Sequence, residues 1–356
     1  MRNTLILLLF FIVAGCCRIK ENNLFNYPVH LIEDLDEVEV LSVTKIQDGL
    51  DLANFQLYDS LVISFVPSGS SFMSVSNYRT GESTQSLCPF GRGPEDYLSV
   101  SPLSHISKDK MAVVDAMKRT LSVIDIRASL ESESTVVMRQ CGLDCFGDCS
   151  PVTSTLLVND SLVLLFNSAA AINPDKPNLA LSGNPDYILF NVNSGEALRE
   201  YKCFKGIPYK ASSFELAVRI KSLLYSYECL NHVSGKVFCA MLHIPQINIL
   251  DVNTGDMVGF RLKGRPKLDM DDPYAYFVSA CTLGDKVYAL YSGDRKRVRW
   301  DPDSAGPCSL YEFSWDGSLC RKFLLPTDFT QCASDGNRLY LSKITEEDSS
   351  LFFVNL

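Results

Sequence analysis

Asp285-Lys286-Val287-Tyr288-Ala289-Leu290-Tyr291 is a polar turn followed by a strand with apolar or aromatic residues on both faces. Successive side chains of a strand point to opposite sides, so a sheet with one wet face alternates apolar with polar residues. Neither side of this strand is written for water. The pattern returns in Asp59-Ser60-Leu61-Val62-Ile63-Ser64, Asp109-Lys110-Met111-Ala112-Val113-Val114 and Asp160-Ser161-Leu162-Val163-Leu164-Leu165. It returns again in Gly235-Lys236-Val237-Phe238-Cys239-Ala240 and Gly336-Asn337-Arg338-Leu339-Tyr340-Leu341. The six starts fall at 59, 109, 160, 235, 285 and 336, at intervals of 50, 51, 75, 50 and 51 residues. A period near fifty in a chain of short strands indicates propeller blades, each sandwiched between its neighbours. Parallel α/β sheets also bury both faces, but they need helical crossovers of a dozen or more residues. The intervals here hold further strands and turns.

Those further strands end in a shared hairpin signal. Ile188-Leu189-Phe190-Asn191-Val192-Asn193-Ser194-Gly195 matches Ile247-Asn248-Ile249-Leu250-Asp251-Val252-Asn253-Thr254-Gly255, and Leu310-Tyr311-Glu312-Phe313-Ser314-Trp315-Asp316-Gly317 is a third version. Asn, Asp and Gly tolerate the left-handed dihedrals of tight turns, so these read as hairpin connections and not as metal loops. The expected fold is all-β, a six-bladed propeller of four-stranded antiparallel blades. The 75-residue interval carries about 25 extra residues, assigned to 168–186 and 205–221. The chain ends inside a strand at 351–356, and an open edge invites pairing elsewhere. Residues 31–43, with Val38 and Val40 alternating, are the expected partner that closes the ring. The division that follows is 1–15 signal peptide, 16–30 anchor and tether, and 31–356 a single propeller domain.

With 356 residues, 46% hydrophobic and 21% charged, the chain is neither a disordered tail nor a small disulfide-stapled module. Lys and Arg total 33 against 42 Asp and Glu, a net charge of −9, which offers no basic excess for a nucleic-acid partner. At the start, Arg2 precedes an apolar run from Leu5 to Val13, a secretory signal too short and lopsided for a transmembrane span. Its ending, Val13-Ala14-Gly15-Cys16, resembles a bacterial lipobox, which implies lipidation at Cys16 and contact with the membrane through that lipid alone. Residues 17–23 lack the acidic cluster that resembles a surface-export signal in Bacteroides-type lipoproteins. The expected location is the cell envelope, on the periplasmic face of the outer membrane.

Cys88-Pro89-Phe90-Gly91-Arg92-Gly93-Pro94-Glu95-Asp96-Tyr97 precedes the second repeat. With the lipobox and the six repeats, it resembles the TolB-like six-bladed β-propeller lipoproteins of Bacteroidales, whose pattern here is Gly-Arg/Lys-Gly-Pro-Gly-Glu-Phe/Tyr. Gly91, Arg92, Gly93, Pro94 and Tyr97 fit, whereas Glu95 stands at a glycine position and Asp96 at a glutamate position. The resemblance implies a fold and no established reaction. Gly91 and Gly93 permit tight backbone, and Pro94 fixes its own φ. Arg92 offers a five-donor fork, expected to brace the turn by bonding carbonyls or a carboxylate. A ligand contact near the channel is the competing reading; a phosphate loop is disfavoured because the Walker spacing is absent.

No residue spacing announces a reaction. His30, His105, His232 and His243 form neither His-x-x-x-His nor His-Glu-x-x-His, and no Gly-x-Ser-x-Gly elbow occurs. Asp269-Met270-Asp271-Asp272 reads as a solvated loop, since an EF-hand needs a longer ordered set of oxygen ligands. Cys141, Cys145 and Cys149 lack the Cys-x2-Cys spacing of a zinc knuckle. Neither a metal nor a cofactor is expected. The leading binding candidate is Arg295, Lys296, Arg297, Arg299 and Trp300, a basic run suited to an acidic sugar, phosphate or carboxylate, with a solvent-facing blade connection as the alternative. The expected function is that of a binding or scaffold protein and not an enzyme, with a glycan, peptide or protein partner. The alternative is a hydrolase or lyase acting on a glycan or peptide at the channel mouth.

Overall fold

The computed structural model describes residues 24–66, 69–143, 152–167, 185–205, 223–265, 274–295, 307–345 and 348–356. Within them lie six sheets, each carrying one repeat segment as its second strand. Blade 1 is Phe55–Tyr58, Leu61–Phe65, Ser71–Asn77 and Ser83–Pro89; blade 2 is Ile106–Ser107, Lys110–Asp115, Thr120–Asp125 and Val136–Gly142. Blade 3 comprises Val152–Leu157, Leu162–Asn167, Tyr187–Asn191 and Glu196–Tyr201, and blade 4 Ser226–Asn231, Lys236–Met241, Gln246–Asp251 and Met257–Leu262. Blade 5 is Ala275–Leu283, Lys286–Arg295, Ser309–Phe313 and Leu319–Leu324. Blade 6 takes Gln331–Ser334, Leu339–Ile344 and Ser349–Val354 from the end of the chain and Val43–Asp48 from its beginning. The first strand of every blade packs against that of the next, and blade 6 against blade 1, so the ring is closed.

The doubly apolar strand is explained by where its side chains go. Val287, Ala289 and Tyr291 enter the cluster shared with blade 4, while Tyr288 and Leu290 enter the cluster shared with blade 6. Among the described residues there are six such clusters, one at each interface between neighbouring blades. The hydrophobic core is thus a ring of interfaces around a channel. Fully burying one such side chain is worth roughly 1.5–3 kcal/mol.

Terminal closure takes a different strand from the one expected. Val43–Asp48 pairs antiparallel with Ser349–Val354, with Val43 opposite Val354 and Asp48 opposite Ser350. Residues 31–43 contribute mainly elsewhere: Val29–Ile32 lies parallel to the outer strand of blade 4, and Glu39–Val40 parallel to that of blade 5. Val38 and Val40, whose alternation pointed to the closing strand, are exposed. Charge sets this path. Asp34 accepts hydrogen bonds from Lys322 Nζ at 2.7 Å and the Tyr311 hydroxyl at 3.1 Å, and pairs with Arg265. The N-terminal segment is therefore strapped across blades 4 and 5 before it completes blade 6. Packing also begins earlier than residue 31, because Leu24 and Phe25 are buried and Phe25 bridges to Phe204.

Three blades carry a fifth, parallel strand, the third case being Leu103–Ser104 beside the first strand of blade 3. Among the described residues the one helix is Ile126–Ser132, in the last connection of blade 2, capped by Asp125 accepting from the Ala128 amide. No helix among the described residues is long and apolar enough to cross a membrane. The segments 168–184 and 206–222, which hold nearly all the extra residues of the long interval, lie outside the described residues.

Candidate functional site

The first strands of the blades enclose a cavity of about 790 Å³, to which all six contribute. A first strand has one edge toward its own blade and the other toward the channel axis, so its residues reach the lumen whatever their sequence separation. Three of the chain's four histidines meet there: His105, His232 and His243. Glu228, Tyr225 and Tyr227 join them from blade 4. Glu228 is the sole acid among the described lining residues, which include no Lys or Arg. The site therefore offers hydrogen bonds and apolar contact, with little fixed charge.

Glu228 is 1% exposed. Ser226 Oγ donates to its Oε1 at 2.6 Å, whereas Oε2 has no partner. Ser154 lies close enough to favour the ionised carboxyl, yet its Oγ makes no hydrogen bond of ordinary geometry. Burial dominates and pushes the Glu228 carboxyl up to about 7. His105 Nε2 is also buried without a partner, and burial lowers that imidazole to about 4, so the ring is neutral near pH 7. His243 Nδ1 lies 2.8 Å from the Tyr274 carbonyl, to which it donates as Nδ1–H, and its pKa is lowered by burial. His232 is on the exposed rim, with Nε2 3.3 Å from Ser107 Oγ. Tyr225 and Tyr227 form an edge-to-face pair with centroids 5.4 Å apart. A few polar side chains in a wall that also carries an aromatic pair are the make-up of a recognition pocket.

The Gly91–Tyr97 turn is built differently from expectation. Arg92 is exposed and makes no hydrogen bond or ion pair. Asp96 and Lys118 hold the turn: Gly93 N–H donates to Asp96 Oδ2 at 2.7 Å, and Lys118 Nζ donates to the Gly93 and Asp96 carbonyls, each at 2.6 Å. A Cβ at Gly91 would sit 2.2 Å from Asp96 Oδ2, so the glycine is there to admit that carboxylate. Pro94 is exposed, while Tyr97 is buried and its N–H donates to the Pro89 carbonyl at 2.8 Å. None of these five residues lines the cavity. Arg295 ends the second strand of blade 5, opposite Ala275, whereas Lys296, Arg297, Arg299 and Trp300 lie outside the described residues. Cys16, Asp269 to Asp272, Cys145 and Cys149 also lie outside them. Among the described residues no group of acids, cysteines and histidines is arranged to hold a metal.

Two solved structures share this architecture. One is a member of the DUF4221 family from Bacteroides vulgatus ATCC 8482, with a TM-score of 0.56 and 10% identity, covering 90% of this chain and 99% of that one. The other is a protein described as exported, from Bacteroides fragilis NCTC 9343, with a TM-score of 0.53 and 12% identity, covering 92% and 99%. At these identities the likeness is one of fold. No protein-family model matches the sequence, and no curated protein matches it. The chain is a six-bladed propeller similar in fold to propellers from Bacteroides.

Proposed function

We propose that this protein is an exported, lipid-anchored binding protein that takes an uncharged ligand into its channel. The observation that carries the reading is the cavity of about 790 Å³, whose described lining holds Glu228, His105, Tyr225 and Tyr227 and no Lys or Arg. A neutral glycan or peptide segment supplies hydroxyls or amides to the polar side chains of that lining and apolar surface to Tyr227. Thermal-shift screening of the purified protein against neutral oligosaccharides and uncharged peptides tests this. A binder that raises the Tm of wild type and R92A, but not of Tyr227→Leu or His105→Phe, supports the channel. Stabilisation that persists in both cavity variants contradicts it.

Export and anchoring rest on the signal-like run to Val13 and on Val13-Ala14-Gly15-Cys16, with a fold shared by one Bacteroides protein described as exported. The finer placement in a TolB-like lipoprotein group rests on the Gly91–Tyr97 resemblance. Cys16→Ser should abolish labelling by a palmitate analogue and release folded protein from the membrane fraction. A mature N-terminus elsewhere contradicts the lipid anchor.

A second reading, hydrolysis or elimination at the channel mouth, is favoured by one observation: a buried acid at about 7 is half protonated at neutral pH and poised for proton transfer. A two-carboxylate glycosidase mechanism needs a second acid, and the described lining has Glu228 alone. Mass analysis of each binder after incubation separates the readings, since cleavage products favour the enzyme and an intact ligand favours recognition.

A further inference from the structure

Cys281 lies on the first strand of blade 5 and Cys332 on the first strand of blade 6, and both line the channel cavity. Their apposition follows from three contacts. Ser279 Oγ donates to the Cys332 carbonyl at 3.2 Å and accepts from the Cys332 N–H at 3.1 Å. Ser279 is two residues before Cys281, so the two side chains leave the same face of their strand. Cys332 Sγ is 3.5 Å from Ser279 Oγ and 3.8 Å from the carbonyl of Tyr288, the cross-strand partner of Cys281. The Cys332 sulfur therefore sits over the patch of blade 5 from which Cys281 projects. Cys281 is half-buried in the cavity wall, whereas Cys332 is 2% exposed.

We propose that Cys281 and Cys332 are a dithiol couple, closed by a small organic disulfide entering the channel, and that the new bond staples blade 5 to blade 6. The more exposed Cys281 thiolate attacks the disulfide RSSR, forming a mixed disulfide and expelling RS⁻. The Cys332 thiolate then attacks Cys281 Sγ, forming the protein disulfide and expelling the second RS⁻. The two protons lost by the cysteines end on two RSH. The cysteines are oxidised by two electrons and RSSR is reduced by two. Access, and not ionisation, sets this order: contact with Cys332 and then burial push the Cys281 thiol up, whereas for Cys332 burial is outweighed by its bonds with Cys281 and Ser279, leaving it lowered and the readier thiolate for the resolving step. Only the oxidising surroundings rest on the export reading.

The test uses the whole chain, purified, reduced and incubated with bis(2-hydroxyethyl) disulfide, a neutral probe suited to a cavity with little fixed charge. The expected result is loss of two hydrogens, a peptide carrying Cys281 linked to one carrying Cys332, and a higher urea midpoint from the cross-linked chain. Cys281→Ser and Cys332→Ser should each abolish closure, while Cys320→Ser, at an exposed thiol, should not. Peptide mapping of the wild type stands even if a serine variant folds poorly. A persistent mixed disulfide at Cys281 or Cys332, linkage of either to Cys229, or no oxidation of the pair overturns the proposal. Closure in buffer with a reduced pair in protein isolated from whole cells supports the couple and contradicts the export reading.

Discussion

Replacing Glu228 by glutamine should stabilise the protein, and by an amount that depends on pH. In the unfolded chain this carboxyl titrates near 4.5, and in the folded protein burial raises it to about 7. Below 4.5 both states hold the proton and the group costs nothing. Between 4.5 and 7 the unfolded state gives up its proton first, so the stability present at low pH is lost at about 1.4 kcal/mol per pH unit. Above 7 both states are ionised, and the accumulated deficit is on the order of 3 kcal/mol. Glutamine keeps the shape and an oxygen for Ser226 but never ionises. E228Q and wild type should therefore have nearly equal stability at pH 4.5, with E228Q ahead by about 1.4 kcal/mol at pH 5.5 and about 3 kcal/mol at pH 8. Urea unfolding of both proteins across this range measures the difference, from which the titration of every other group cancels. A difference that does not grow with pH would refute the buried, desolvated carboxyl.

Arg92→Ala should leave the urea midpoint unchanged, whereas Lys118→Ala should cost about 1–3 kcal/mol by orphaning the Gly93 and Asp96 carbonyls; equal losses in the two would contradict the assignment of the brace. Leu351→Ala, at a fully buried position of the closing blade, should cost about 2–5 kcal/mol by equilibrium unfolding. Deleting 351–356 should unfold or oligomerise the protein, and an unchanged monomeric transition would count against strand closure. Asp34→Ala should cost roughly 2 kcal/mol, less than a fully buried ion pair, and should expose Val29–Ile32 to hydrogen exchange before the rest of blade 4.

The blades were legible because a strand between two neighbours must be apolar at both parities, as the division of residues 287–291 between two interfaces shows. The closing strand was misplaced because the alternation of Val38 and Val40 marks a strand without naming its partner, and a side-chain charge network around Asp34 holds that segment on blades 4 and 5. Sequence reasoning assigned the turn's brace to Arg92 by residue type, yet Lys118 arrives from a separate hairpin 25 residues beyond Gly93. The site itself was missed. His105, His232, His243 and Glu228 have no motif spacing because the ring, and not the local chain, brings them together. One signal was present: His105, Cys281 and Cys332 each stand four residues before a repeat start, at 109, 285 and 336. That offset falls on or beside the first strand, the one that faces the lumen.

A crystal structure of the protein with the strongest neutral binder from the thermal-shift screen tests the channel site most directly. The ligand should lie within the cavity, with a polar atom in hydrogen-bond distance of a polar lining side chain such as His105, His243 or Glu228 and apolar surface against Tyr227. A ligand bound on the outer surface, for instance at the exposed turn around Arg92, with the channel empty, would contradict it.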